Sequence, residues 1–153
     1  AWSPDASTLY WADTPRHTVY AFSHAAQTNV LTNRTEFVRV APKPEGWNWT
    51  DRRYQGRPDG AAVDLHGHYT AAMYEGRVVC RFAPDGSLQQ EMELPTQCPT
   101  MPCFGGEDLR TLFVTSARKG RPADELAVLP DTGSVFYRQV PTAGLPVNFL
   151  QLA

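Results

Sequence analysis

Apolar and polar positions along this chain alternate in short runs, and no segment keeps apolar residues at helical spacing for three turns. Stretches rich in β-branched and aromatic residues recur instead, at 8–12, 18–22, 36–40, 69–73, 78–82, 88–94, 112–115 and 134–138. Their spacing near ten residues predicts hairpins in an all-β protein. The connections carry turn chemistry: Ser3-Pro4-Asp5, Asp64-Leu65-His66-Gly67, Pro84-Asp85-Gly86 and Pro130-Asp131-Thr132-Gly133 each offer an Asp to cap the backbone or a Gly able to take positive φ. The continuous run Arg77-Val78-Val79-Cys80-Arg81-Phe82 predicts a strand covered on both faces.

An internal repeat lies beneath this pattern. Leu9-Tyr10-Trp11-Ala12 aligns with His68-Tyr69-Thr70-Ala71 and with Leu112-Phe113-Val114-Thr115, and Phe22 and Phe82 end the following strands 60 residues apart. A period of about 50 residues with several short strands per unit predicts β-propeller blades. At that period 153 residues hold about three blades, roughly 1–55, 56–100 and 101–153, whereas propellers close with about 4 to 8. The expectation is therefore half of a ring with two apolar faces, covered by a missing N-terminal half or by a second copy. The opening at Ala1, without an initiator Met and straight into a turn and strand, points the same way.

Composition adds limits. The chain is 42% hydrophobic and 20% charged with a mean hydropathy of -0.40, as in ordinary globular domains. A net charge of -2 and the lack of a basic run give nucleic-acid binding little support. No stretch reaches the roughly 18 apolar residues of a membrane helix, and the first ten residues hold no signal-peptide pattern. With only three cysteines, Cys80, Cys98 and Cys103, the expectation is a reducing, cytoplasmic setting.

The residues also resemble a known family, the senescence marker protein (regucalcin), gluconolactonase and luciferin-regenerating enzyme family of six-bladed propellers. The resemblance runs through Trp2-Ser3-Pro4-Asp5, Leu9-Tyr10 and Ala12-Asp13, then Gly56-Arg57-Pro58-Asp59-Gly60 with Val63-Asp64 and Gly67. It continues through Gly76-Arg77-Val78-Val79, Arg81-Phe82, Pro84-Asp85-Gly86, Glu93-Leu94-Pro95, Pro99-Thr100, Cys103-Phe104-Gly105-Gly106, the segment 112–118 and Gly133-Ser134-Val135-Phe136. Each match alone is weak; their common order across the whole chain is specific. What it resembles is the C-terminal half of such a propeller.

The resemblance implies a hydrolase of sugar-acid lactones that uses one divalent ion, Ca²⁺, Mg²⁺, Mn²⁺ or Zn²⁺, at the top of the central channel. It further implies three ligands: a Glu from the first blade, an Asn just upstream of Ala1, and the Asp of the Pro-Asp-Gly turn, which is Asp59. Glu, Asn and Asp supply hard oxygen donors and leave positions for water and substrate. The carry-over makes Asp59 both metal ligand and proton acceptor. Read from the residues alone, Asp59 is equally a turn residue capping its own backbone.

Other candidates have plainer readings. His66 and His68 flank Gly67 and read as an exposed turn rather than a chelating pair, and Cys98 and Cys103 read as thiols without a partner motif. Asp13, Asp64, Asp85 and Asp131 read as turn caps. The aromatic and basic stretch between Trp47 and Tyr54 reads as a packed surface loop, with a substrate lid as the alternative. Two functions stay open: half of a lactonase, or a noncatalytic propeller fragment or Ca²⁺-binding regulatory protein that is stable only through association.

Overall fold

The computed structural model describes residues 1–146, and within them alternating side chains build three antiparallel sheets that follow one another along the chain. The first holds β1 (Thr8–Asp13), β2 (Thr18–Ala25) and β3 (Val30–Arg39) in that order. The second holds β4 (Arg57–Val63), β5 (Tyr69–Tyr74), β6 (Val78–Phe82) and β7 (Leu88–Glu93). The third holds β8 (Pro99–Gly105), β9 (Thr111–Ser116) and β10 (Val135–Gln139). Each is a meander of neighbouring hairpins. Residues 1–3 run beside β1, where Ser3 N–H donates to the Thr8 carbonyl at 2.9 Å and Tyr10 N–H to the Ala1 carbonyl at 2.8 Å.

The second sheet is sandwiched between the other two. Tyr69, Ala71, Met73, Cys80 and Phe82 on one face pack against Tyr10, Val19 and Val38, and Val79 and Met92 on the other face pack against Leu112 and Val114. That two-sided cover explains why β5 is almost wholly buried while β3 is mostly exposed. The predicted strands lie in β1, β2, β3, β5, β6, β7, β9 and β10. Strands β4 and β8 were not foreseen, because Pro58, Pro99 and Pro102 interrupt the apolar pattern. Both are edge strands of their sheets, where a missing N–H can face outward without costing a ladder bond.

The structure corrects the register of the internal repeat by one residue. The ladder pairs Leu9 with Phe22 and Tyr69 with Phe82, so Leu9 and not Tyr10 is the counterpart of Tyr69. The slip matters because it exchanges the two faces of a strand. Among the described residues two short helical pieces join the sheets' strands: a 3₁₀ turn at Thr14–Arg16 between β1 and β2, and α1 (Ala123–Val128) between β9 and β10. Among the described residues no helix is long and apolar enough to cross a membrane.

Candidate functional site

Asp59 sits inside β4 and not in a turn, which corrects the sequence expectation. The ladder between β4 and β5 passes directly from the Pro58–Met73 pair to the Ala61–Ala71 pair, leaving Asp59 and Gly60 in a bulge. The bulge is held from two sides. Thr14 Oγ1 donates to the Pro58 carbonyl at 2.8 Å, and Gly60 lies so close to β8 that an added Cβ would fall 2.6 Å from the Thr100 carbonyl. Local sequence makes this possible because Pro58 needs no ladder bond and Gly60 needs no room for a side chain.

The bulge leaves Asp59 half-buried with no hydrogen bond to a described residue. Burial raises its carboxyl from the ordinary value, against the smaller downward pull of the Arg57 guanidinium. Five other aspartates behave differently. Asp5, Asp51, Asp64, Asp85 and Asp108 each accept a backbone N–H from two residues further on, at 2.9 to 3.1 Å. The turn-cap reading thus describes those residues and fails for Asp59. As a hard, desolvated oxygen donor with free lone pairs, Asp59 fits one ligand of a divalent ion. Among the described residues no group of three or more His, Cys, Asp or Glu is placed to hold a metal ion.

Beside Asp59 lies a charged cluster that the sequence did not announce. Glu75, buried between β5 and β6, accepts both bonds of Lys43 Nζ at 2.9 and 3.0 Å. Arg57 approaches the same carboxylate to 3.5 Å and Arg121 to 3.6 Å. Arg121 also forks onto Glu125, which is fully buried on α1. His17, at the end of the 3₁₀ turn, meets Tyr54 through an Nε2 to hydroxyl bond of 2.7 Å, and burial lowers its imidazole from the ordinary value. No local motif could have found this cluster, since Lys43 and Arg121 reach Glu75 only through the packing of three sheets.

The stretch between Trp47 and Tyr54 is a packed loop. Trp47 is set edge-on to Tyr54, Lys43 lies 4.4 Å from the Trp47 ring, and Trp49 Nε1 donates to Asp124 at 3.0 Å. Arg52 pairs with Glu93 at 2.5 Å. His66 and His68 do not converge as ligands. Their backbone N–H groups both bind Asp64, whose second oxygen takes Arg81 at 2.6 Å. Asp85 caps Ser87 as expected, whereas Asp13 caps nothing and pairs with Arg16 at 2.7 Å. The Asp131 turn closes through its backbone carbonyl, which accepts from Ser134 N–H at 3.0 Å. All three cysteines are free, Cys80 and Cys98 buried and Cys103 exposed.

Comparison with known proteins adds the lineage. Residues 1–118 match the model of the SMP-30/Gluconolactonase/LRE-like region. A 6-deoxy-6-sulfogluconolactonase of Pseudomonas putida is 42% identical over 146 residues, which span 94% of this chain and 46% of that protein. Regucalcin of Danio rerio is 35% identical over 136 residues, 88% of this chain and 42% of that protein. The crystal structure of a calcium-binding protein, regucalcin, from Agrobacterium tumefaciens superposes with a TM-score of 0.81 at 28% identity, covering 94% of this chain and 45% of that one. A luciferin-regenerating enzyme shares the fold with a TM-score of 0.75 at 22% identity, over 97% of this chain and 47% of its own. The chain spans about half the length of the curated relatives it matches. With a propeller-type all-β fold and the family's motifs in order, it belongs to the SMP-30/gluconolactonase/luciferin-regenerating enzyme family.

Proposed function

We propose that this chain is three blades of a six-bladed propeller that hydrolyses sugar-acid lactones, and that Asp59 is its contribution to a divalent-metal site. The observation that carries the reading is the Asp59 carboxylate, bulged out of β4, desolvated and without a hydrogen-bond partner among the described residues. The remaining ligands come from outside those residues. Bound there, Ca²⁺, Mg²⁺, Mn²⁺ or Zn²⁺ supplies a Lewis acid for the lactone carbonyl and lowers the pKa of a water.

This chain's own residues then do three things. One Asp59 oxygen serves as ligand, and the carboxylate takes the proton of the attacking water. The ring C–O bond breaks as the new C–O bond forms, and that proton returns to the departing ring oxygen, giving the open hydroxy acid. Thr14 and Gly60 hold the bulge. Within sugar lactones the Pseudomonas putida relative is named for a sulfonated one, and that substrate class is our reading here. The second reading, a Ca²⁺-binding regulatory protein without turnover, draws on the Agrobacterium tumefaciens structure described as calcium-binding.

The test uses the complete propeller that contains this chain. Asp59→Asn at saturating metal lowers kcat/KM for gluconolactone opening by more than about 100-fold, above the usual effect of residues that only support a ligand. In the metal-free protein the same substitution removes a half-buried charge without a hydrogen-bond partner among the described residues and raises stability by a screened amount below about 1 kcal/mol. Asp85→Asn, in a solvated turn, changes neither by much. Wild-type activity in Asp59→Asn would sink the proposal, and calcium binding without any turnover in the wild type would select the second reading.

A further inference from the structure

In the charge cluster around Glu75 one guanidinium keeps its hydrogen-bond donors unused. Three cations, Lys43, Arg57 and Arg121, face Glu75 and Glu125, and Asp59 lies two residues from Arg57 on β4. The pairing is unequal. Lys43 occupies both oxygens of Glu75 at hydrogen-bond distance, and Arg121 forks onto Glu125. Arg57 stands 3.5 Å from Glu75 and makes no hydrogen bond to a described residue. A guanidinium carries five N–H donors in a fixed fork, so its hydrogen-bonding capacity is unused here.

Its placement is nonetheless firm. The guanidinium lies over the Tyr74 ring at 5.1 Å, and Tyr74 is its cross-strand partner in the ladder between β4 and β5. That cation–π contact and the flank of Glu75 orient the fork without consuming its donors. The side chain is 29% exposed, so its donors are open to solvent. Arg57 also sits two residues from Asp59 on the same strand, and its charge is felt at Asp59, His17 and Tyr54 alike. A structural salt bridge would look different, with the fork closed on a carboxylate as Arg121 is on Glu125.

We infer that Arg57 is a specificity residue that binds a tetrahedral anionic group, sulfonate or phosphate, carried by the lactone. Its planar fork matches two oxygens of such a group at once, while Tyr74 and Glu75 hold the fork ready and Lys43 neutralises Glu75. The inference rests on the lactonase reading above and adds to it the residue that recognises the anionic group. A neutral gluconolactone lacks the group, so on it Arg57 acts only through its charge at Asp59.

The experiment compares gluconolactone, its 6-sulfonate and its 6-phosphate as substrates of the complete protein, with Arg57→Gln and Arg57→Lys as variants. Losing a charged hydrogen-bonding partner of this kind costs roughly 10- to 100-fold. Arg57→Gln loses that factor in the ratio of kcat/KM on the anionic lactones to kcat/KM on the neutral one, chiefly through KM on the anionic lactones. Arg57→Lys, which keeps the charge and loses the fork, recovers part of the loss. A loss confined to the sulfonate, or to the phosphate, assigns the group. Equal losses on all three lactones, or none on the anionic ones, overturn the inference. Should the wild type open no lactone, the lactonase reading falls separately, and titration calorimetry with 6-deoxy-6-sulfogluconate decides the anion site: binding weakened by Arg57→Gln upholds it, and no binding or unchanged binding ends it.

Discussion

At the scale of single residues, burial without a counter-charge leaves its mark on His17 as well as on Asp59. The imidazole is buried at the end of the 3₁₀ turn and bonded to the Tyr54 hydroxyl; burial lowers its pKa, Arg57 and Lys43 lower it further, and Glu75 and the Pro15 backbone oppose them. In the unfolded chain a histidine titrates near about 6.5. The folded state therefore binds fewer protons than the unfolded state as pH falls through that value, and stability falls with it, by at most about 1.4 kcal/mol per pH unit. Urea titrations at pH 7.5 and pH 5 should show this loss, and His17→Gln, which keeps a hydrogen-bonding partner for Tyr54, should remove part of it. An unchanged pH dependence in that variant would mean that the imidazole titrates freely. The sequence singles out Asp59 because its tripeptide lies in a specific order of motifs, and its role is the proposal made above. It does not single out His17, Arg57 and Glu75, because what distinguishes them is the company they keep across sheets.

At the scale of elements, most strands were legible because β-branched and aromatic runs alternate with turn residues, and β6 was foreseen with its bounds. The elements that escaped are the edge strands β4 and β8, whose prolines break the pattern, and α1, whose six residues are too few for a helical period and whose anchor is the pairing of Arg121 with the buried Glu125. These are the elements that carry or border the site. The contact between β4 and β8 depends on Gly60, since a Cβ there would meet the Met101 sulfur, lie 2.6 Å from the Thr100 carbonyl and lie 3.0 Å from Met101 Cα. Met101 can swing aside, but the Thr100 backbone cannot. Gly60→Ala should therefore destabilise the protein by about 2 kcal/mol through overpacking. It should also shift the bulge that presents Asp59, lowering turnover beyond the stability loss. A variant with wild-type urea midpoint and activity would show that β8 can yield, and that the bulge does not need the close approach.

At the scale of the whole molecule, the corrected repeat register says what the outer faces expect. Leu9, Trp11, Tyr20 and Phe22 occupy on the first sheet the ladder positions that Tyr69, Ala71, Cys80 and Phe82 occupy on the second. On the second sheet those residues are buried against the preceding sheet; on the first, Trp11 is 52% exposed. The last sheet has the complementary problem, because Phe113, Val135 and Tyr137 look outward and Tyr137 is 75% exposed. An aromatic side chain buries about 150 to 250 Å² when covered, so each face comes to about the few hundred Å² of the largest apolar patch a monomer usually carries. The two faces are chemically alike and lie at opposite ends of the sheet stack, so they can meet head to tail between copies as well as receive the blades of a longer chain. The 153-residue chain by itself should therefore bind a hydrophobic dye and sediment as concentration-dependent oligomers. Trp11→Ser combined with Tyr137→Ser should weaken both signals, and supplying the remaining half of the propeller should abolish them. A compact monomer that binds no dye at any concentration would show that these faces are stable in water, and the half-ring reading would have to be abandoned.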